Sequence, residues 1–182
     1  MEKKKIIHII TGDGKGKTTA SLGLALRALG AGKKVKLIQF MKTDSFSEHA
    51  AIKKYKLPID VETFGIGFYK ILGDKHTTRE HKISCEKALE AAQKAIDGGT
   101  YDLIILDEIN VALGFKLIKI NDVLDILRPN VHLQGVHEAV DIVLTGRNAP
   151  EEIKKIAQLV SDIGCEKHYF DDGQEAREGI EF

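Results

Sequence analysis

Short apolar runs and longer amphipathic segments alternate along the chain. Four apolar runs are typical of strands buried on both faces of a parallel sheet, and they cover residues 5–10, 35–40, 101–106 and 140–144. Apolar residues recur at helical spacing over 17–29 and 77–97, between these runs. The alternation predicts an α/β fold with a doubly wound, mainly parallel sheet and helices on both of its faces.

Weaker patterns complete the predicted set of elements. A strand near the sheet edge is expected at 59–64, and helices are expected at 50–57, 121–127 and 151–161. The polar, aromatic-punctuated tail from 166 to 182 either packs on the core or covers the active site. We expect one domain over residues 1–182, since this length is enough to bury a sizeable core.

A glycine-rich loop, TGDGKGKTTA at 11–20, follows the first predicted strand and precedes a predicted helix. It fits the phosphate-binding pattern G-x-x-x-x-G-K-[ST], except that Thr11 replaces the first glycine. Such a loop directs backbone N–H groups at a phosphate, and the helix N-terminus adds positive charge. Lys17 is expected to reach a phosphate oxygen, and Thr18 to offer its hydroxyl to Mg²⁺. The alternative is a strand-to-helix turn that binds nothing.

Two carboxylates follow the apolar run YDLIIL at the expected C-terminal end of a strand. Asp107 and Glu108 would lie near Thr18 if this strand and the first run parallel. One carboxylate would then hold Mg²⁺ and the other would orient it. The alternative is a pair of acids favoured by a helix N-terminus.

Further candidates also follow predicted strands. Arg147 comes after the run at 140–144 and is a candidate nucleotide contact, although it could be an ordinary surface arginine. Gly65–Lys70 places two aromatic residues in a glycine-rich segment, and composition slightly favours rings that pin this loop to the core.

Composition narrows the functional class only slightly. Basic and acidic residues both number 27, so the charge gives no indication of nucleic-acid or membrane binding. The 2 cysteines form no metal-ligand spacing, which favours a reduced, cytoplasmic protein. The apolar stretch near the start is too short for a signal peptide or a membrane span, and we interpret it as the first strand.

Several stretches together resemble the P-loop family of ATP:corrinoid adenosyltransferases. In family order they are TGDGKGKTTASLGLALRALGAGKKV, LIQFMK, the Gly-Phe pair within Gly65–Lys70, LIILDEIN, VLTGRNAP and KHYFDDGQEAREGIEF. The resemblance implies that Co(I) of a reduced corrinoid attacks the 5′ carbon of ATP and releases tripolyphosphate. It further implies a homodimer, an electron donor such as a flavoprotein reductase, and a role in adenosylcobalamin biosynthesis or salvage.

The resemblance also assigns residues. It implies catalytic roles for Lys17, Thr18 and Glu108, and a Mg²⁺ or Mn²⁺ site formed by Thr18, Asp107 and Glu108. Together with the loop pattern it gives a set of ATP-binding residues: Thr11, Gly12, Asp13, Gly14, Lys15, Gly16, Lys17, Thr18, Thr19, Arg27 and Arg147. Phe68 and Tyr69 are the implied corrinoid contacts.

One position departs from the family pattern. Lys70 stands where family members commonly carry a tryptophan against the lower face of the corrin. Two alternatives accompany the transferase prediction. One is a small P-loop kinase or ATPase, with which the acidic pair is compatible. The other, motivated by Lys70, is a non-catalytic protein that binds ATP or a corrinoid.

Overall fold

The computed structural model describes residues 5–43, 45–67, 69–70, 74–128 and 140–181. Its strands are β1 (Ile6–Thr11), β2 (Val35–Gln39), β3 (Ile59–Thr63), β4 (Leu103–Asp107), β5 (Asp141–Thr145) and β6 (Leu159–Asp162). Its helices are α1 (Lys17–Gly30), α2 (Ser47–Lys54), α3 (Thr78–Gly98), α4 (Ile109–Gly114), α5 (Ile120–Leu127) and α6 (Glu151–Ile156).

The strands form one sheet with the order β3-β2-β4-β5-β1-β6, and every pairing is parallel. The interior strands β2 and β4 are buried along their whole length, including the polar residues Lys36 and Gln39 of β2. β3 lies at one edge and alternates between half-buried and exposed residues. The fold prediction is therefore confirmed.

The core lies on both faces of the sheet. On one face α1 packs through Ala25 and Ala28 against apolar side chains of β1, β2, β4 and β5. The other face is covered by α3, α4, α5 and α6. In the described ranges, no helix is long and apolar enough to cross a membrane.

The helix predicted over 151–161 is wrong in its second half. α6 ends at Ile156, and residues 159–162 form β6, which pairs with β1 from His8↔Leu159 to Thr11↔Asp162. The Gln158 side chain accepts a hydrogen bond of 2.7 Å from the Ile7 N–H and so helps to hold the segment beside β1. A four-residue, mostly exposed edge strand has almost no apolar pattern of its own, and its identity comes from pairing with a distant strand.

Candidate functional site

The phosphate loop, residues 12–16, connects β1 to α1 at the C-terminal edge of the sheet. Gly16 is the residue before the helix and adopts a φ of 119°, a left-handed conformation that glycine takes at little cost. Gly16 has no side chain to cap the helix, so the first N–H groups of α1 receive no capping hydrogen bond from this position. These groups and the helix dipole make the loop suited to an anion.

Two loop glycines are needed for a reason that the sequence does not reveal. The chain after β6 runs against the loop, where the Gly14 N–H donates to the Ile163 carbonyl at 2.8 Å. A Cβ atom on Gly12 would lie 2.4 Å from the Ile163 carbonyl oxygen, and one on Gly14 would lie 2.2 Å from that of Gly164. The glycines therefore permit close packing of two backbones as well as the curl of the loop.

Lys17 lies inside the loop and is only 8% exposed. Its ammonium donates hydrogen bonds of 2.7 Å to the carbonyl oxygens of both Gly12 and Gly14. Burial lowers the pKa of the Lys17 amine below its usual range, while nearby Glu108 opposes this shift and Arg147 adds to it. The structure thus holds the predicted phosphate-binding ammonium inside the loop, on two of the loop's own carbonyl oxygens.

Asp107 is the centre of a buried polar cluster and has no exposed surface. Its Oδ1 accepts hydrogen bonds from Thr18 Oγ1 at 2.9 Å and from Thr145 Oγ1 at 2.6 Å. Its Oδ2 accepts from Gln39 Nε2 at 3.0 Å and lies 3.2 Å from Lys42 Nζ. Gln39, Asp107 and Thr145 end the adjacent strands β2, β4 and β5, where ligand crevices of such sheets lie. We call these five residues the Asp107 cluster.

Glu108 follows Asp107 and turns the chain into α4 with a φ of 63°. Its N–H donates to Thr145 Oγ1 at 2.9 Å. Among the described residues, the Glu108 carboxylate receives no hydrogen bond from a side chain or the backbone. Burial raises its pKa, and so does the adjacent Asp107, although Lys42 and Lys17 oppose the shift. Glu108 is thus the member of the acidic pair with uncommitted oxygens.

Sequence reasoning missed Lys42, which the structure places within the Asp107 cluster. Its ammonium donates to Thr18 Oγ1 at 2.9 Å and lies 3.4 Å from Glu48 Oε1. Burial opposes the charged form, but Asp107 and Glu48 outweigh it and raise the pKa of Lys42. The available signal was its place three residues after β2, at the strand end where polar residues gather.

Lys15 connects the phosphate loop to the chain end. Its ammonium donates to Glu181 Oε1 at 2.7 Å and to the Tyr169 hydroxyl at 3.0 Å. Tyr169 also donates a hydrogen bond to Glu181, and the Arg177 guanidinium lies 5.1 Å from the centre of the Tyr169 ring. The described part of the 166–182 tail therefore docks on the loop that is predicted to bind ATP.

The remaining predicted nucleotide contacts differ in their placement. Thr11 is 3% exposed, and its hydroxyl accepts a hydrogen bond from a backbone N–H. Asp13 and Thr19 are exposed on the loop and on the first turn of α1. Arg147 is exposed but close enough to Lys17 to influence its pKa.

Arg27 is not brought to the loop. It lies in the last turn of α1, ten residues after Lys17, which corresponds to about 15 Å along the helix axis. Its predicted contact with the nucleotide stays a prediction.

Of the two predicted corrinoid contacts, Phe68 lies outside the described residues. Tyr69 is 6% exposed, and its ring makes edge contacts with His81 and Phe115 at centroid distances of 4.9 and 5.1 Å. Its hydroxyl lies 3.3 Å from Thr78 Oγ1. These contacts favour the interpretation in which the ring pins its loop to the core.

The site suits a hard divalent cation. Thr18, Asp107 and Glu108 offer hydroxyl and carboxylate oxygens, the ligands that Mg²⁺ and Mn²⁺ prefer. The Lys42 ammonium already lies between Thr18 and Asp107, which shows that the position favours positive charge. No cluster of three or more His, Cys, Asp or Glu residues that could hold a metal occurs in the described ranges. A metal here would complete its coordination with phosphate and water oxygens.

The parallel sheet, the glycine loop and the acidic pair after β4 define a protein with the P-loop NTPase fold. Solved structures share this fold at low identity. The flagellar accessory protein FlaH from Methanocaldococcus jannaschii matches with a TM-score of 0.54 and 14% identity, over 87% of this chain and 70% of that one. A KaiC-like protein from Pyrococcus horikoshii OT3 matches with a TM-score of 0.50 and 16% identity, over 92% and 76% of the two chains.

The chain belongs to the ATP:corrinoid adenosyltransferase BtuR/CobO/CobP family, whose model matches residues 3–182. A corrinoid adenosyltransferase from Escherichia coli K12 is 30% identical over 182 residues, which is 100% of this chain and 87% of the relative. A corrinoid adenosyltransferase from a Sinorhizobium species is 33% identical over 183 residues, again 100% of this chain and 82% of the relative. The family resemblance predicted from the sequence is thereby confirmed.

Proposed function

We propose that this protein transfers the 5′-deoxyadenosyl group of ATP to the Co(I) centre of a reduced corrinoid and releases tripolyphosphate. The observation that carries the proposal is the hydrogen bond from Thr18 of the phosphate loop to Asp107 beside Glu108. It joins a triphosphate-binding element to an acidic pair in a chain of the adenosyltransferase family.

The proposed reaction needs no nucleophile from the protein. Co(I) supplies the electron pair of the new cobalt–carbon bond, while the bond between C5′ and the triphosphate oxygen breaks. The electrons of that bond leave with the tripolyphosphate, which gains negative charge in the transition state. We assign the stabilisation of this charge to Lys17, which lies within the phosphate loop, and to the N–H groups at the start of α1. Lys15 becomes a further phosphate contact if the nucleotide displaces Glu181 from it.

The second task of the protein is to align two large substrates. Good alignment can supply on the order of 7–11 kcal/mol of the barrier. On the nucleotide side, Gly12, Asp13, Thr19 and Arg147 are the proposed contacts around the loop. On the corrinoid side, we assign direct contact to Phe68 and a positioning role to Tyr69, because the Tyr69 ring anchors the segment in the core.

Mg²⁺ or Mn²⁺ would be held by Thr18 and Glu108. When bound, the metal ion would neutralise part of the triphosphate charge. Asp107 is better placed to orient the Thr18 hydroxyl, because its own oxygens already accept several hydrogen bonds. Glu108 has the uncommitted carboxylate that a metal ligand requires.

The wider setting of the reaction completes the proposal. A flavoprotein reductase or a similar electron donor would keep the corrinoid cobalt reduced, and the protein would act as a cytoplasmic homodimer. The product would enter adenosylcobalamin biosynthesis or salvage.

The decisive experiment incubates the protein with chemically reduced cobalamin, ATP and Mg²⁺ in the dark. We expect alkylcobalamin, identified by its light-sensitive absorption spectrum, and tripolyphosphate, measured by ³¹P NMR, to form in equal molar amounts. Omission of the corrinoid should abolish consumption of ATP. ADP and orthophosphate as the only ATP-derived products would overturn the proposal in favour of a kinase or ATPase. Tight corrinoid binding without turnover would overturn it in favour of a binding protein.

A further inference from the structure

The Thr18 hydroxyl has two partners, and they use different parts of its oxygen. Its hydrogen is donated to Asp107 Oδ1 at 2.9 Å, whereas one of its two lone pairs accepts a hydrogen from the Lys42 ammonium, also at 2.9 Å. A metal ion bound to the same oxygen would therefore be a close neighbour of the ammonium. The ammonium also lies 3.2 Å from Asp107 Oδ2, so its positive charge is held next to Thr18 and the acidic pair.

We propose that Lys42 is a built-in counter-cation of the metal site, which divalent metal must displace and which therefore couples metal binding to nucleotide binding. The inference rests on the proposed function, because it takes Thr18 as a metal ligand. Lys42 is thus a positioning residue that determines when the site accepts metal.

Several contacts hold the ammonium in place. The Lys42 side chain is 16% exposed, and its Nζ lies 5.2 Å from the centre of the Phe46 ring. Its backbone carbonyl accepts a hydrogen bond of 3.0 Å from the Gly65 N–H, which fixes the chain beyond β2. Glu48 Oε1 lies 3.4 Å from the ammonium and gives it a second carboxylate partner besides Asp107. The Lys42 ammonium can therefore move away from Thr18 without losing every partner.

The charge balance explains the expected coupling. Without nucleotide, a divalent ion at Thr18 would face the ammonium at close range, and like charges in a partly buried site repel strongly. A bound triphosphate adds several negative charges at the loop, which can then accommodate both cations. The nucleotide-free protein should accordingly bind free metal weakly, and it should bind metal readily together with nucleotide.

The test measures Mn²⁺ binding directly by the EPR signal of the free ion, without nucleotide or corrinoid. We expect Lys42→Met to bind Mn²⁺ at least about tenfold more tightly than the unaltered protein. Lys42→Gln should show the same gain, because it keeps a hydrogen-bond donor but removes the charge. Lys33→Met is the matched control, because Lys33 forms an exposed ion pair with Asp141 away from the loop. The double variant with Thr18→Ala and Lys42→Met should not show this gain in Mn²⁺ affinity.

A second measurement separates this inference from the proposed function. The affinity of the unaltered protein for a fluorescent ATP analogue should rise when Mn²⁺ is added. If it does, and neither Lys42 variant gains Mn²⁺ affinity without nucleotide, the role given to Lys42 is wrong while the proposed metal site stands. If the nucleotide affinity shows no response to Mn²⁺, the proposed metal site and the role of Lys42 both fall. Chemical unfolding of each variant checks that the fold is kept.

Discussion

The Thr11 hydroxyl accepts a hydrogen bond of 3.2 Å from the backbone N–H of Ala149. Both residues are buried, and the bond ties the last residue of β1 to the turn between β5 and α6. Thr11 stands where the usual phosphate-loop pattern has its first glycine. Threonine at this position therefore gives the loop a fixed connection to the segment that carries Arg147.

Thr11→Gly, which restores the usual loop pattern, should destabilise the protein by about 1–3 kcal/mol. The change leaves the buried Ala149 N–H without its acceptor and adds backbone freedom to the end of β1. Urea unfolding monitored by circular dichroism measures the loss. Thr11→Ser keeps the hydroxyl and should lose much less. Equal stability of Thr11→Gly and the unaltered protein would show that the bond contributes nothing.

Lys17→Met should lower the rate of adenosyl transfer by about 10²–10³-fold. The change removes the ammonium to which the proposed function assigns stabilisation of charge on the leaving tripolyphosphate. Steady-state rates with reduced cobalamin measure the effect. Lys33→Met is the control, because it removes a lysine at the far end of β2. A variant that is folded and within a few-fold of full activity would contradict the role given to Lys17.

Sequence pattern predicted most of the fold because each long element carries its own signal. β2, β4 and β5 are mainly apolar runs, and α3 has a long amphipathic repeat. β6 was missed because a short, mostly exposed strand is defined by hydrogen bonds to β1, more than one hundred residues away.

The site was predicted in its local parts but not in its connections. The phosphate loop is one continuous stretch of sequence, and so is the acidic pair. Lys17, Thr18 and Glu108 could therefore be selected as candidates directly from the sequence. Lys42 and Gln39 gain their importance from Asp107, which comes from another strand. No spacing rule links residues on separate strands, so only the folded sheet reveals the cluster.

The two cysteines should react with iodoacetamide at very different rates. Cys85 is 1% exposed, and burial raises the pKa of its thiol to about 12, whereas Cys165 is exposed. Because the thiolate is the reactive form, only Cys165 should be alkylated in the folded protein at pH 8. Mass spectrometry of the intact protein measures the time course. Modification of both residues at one rate, without unfolding, would be inconsistent with the buried position of Cys85.

Glu181→Gln should loosen the tail from the phosphate loop. Glu181 accepts hydrogen bonds from Lys15 and Tyr169 and is also contacted by Arg177. Loss of its charge leaves Lys15 without an ion-pair partner among the described residues. In limited proteolysis, the variant should be cleaved within the tail, beyond residue 166, faster than the unaltered protein. Glu178→Gln is the matched control, since Glu178 is a neighbouring exposed acid.

The contact between Lys15 and Glu181 should weaken only in acid. Lys15, followed by Tyr169, lowers the pKa of Glu181 below its usual range. A lowered carboxyl pKa stabilises the docked tail above the pKa of the free carboxyl, about 4.3. That stabilisation is lost as the pH falls below about 4.3 through the lower pKa of the docked state. The protection of the tail's backbone amides from hydrogen exchange, corrected for the intrinsic rate, should thus change little between pH 8 and 6. Loss of protection already at pH 6 would contradict this assignment.

Glu108→Gln should make the ligand-free protein more stable at pH 7, by about 0.5–1 kcal/mol, while it abolishes metal-dependent activity. Burial and the adjacent Asp107 raise the pKa of Glu108, so the folded protein holds its charged form at a cost. Glutamine has almost the same shape and avoids that cost. Thermal unfolding in a chelating buffer measures the difference, and the transfer assay measures the loss of activity.

The sign of the pH dependence distinguishes this explanation from better packing of glutamine. A raised carboxyl pKa destabilises the folded state increasingly as the pH rises from the unfolded value, about 4.3, through the folded value. The advantage of Glu108→Gln should therefore shrink as the pH falls toward 4, whereas a packing effect would persist. With ATP and Mg²⁺ present at pH 7 the order should reverse, because only the unaltered protein gains stability from a bound metal ion. A variant that is less stable than the unaltered protein at every pH would show that the Glu108 carboxylate is needed by the fold itself.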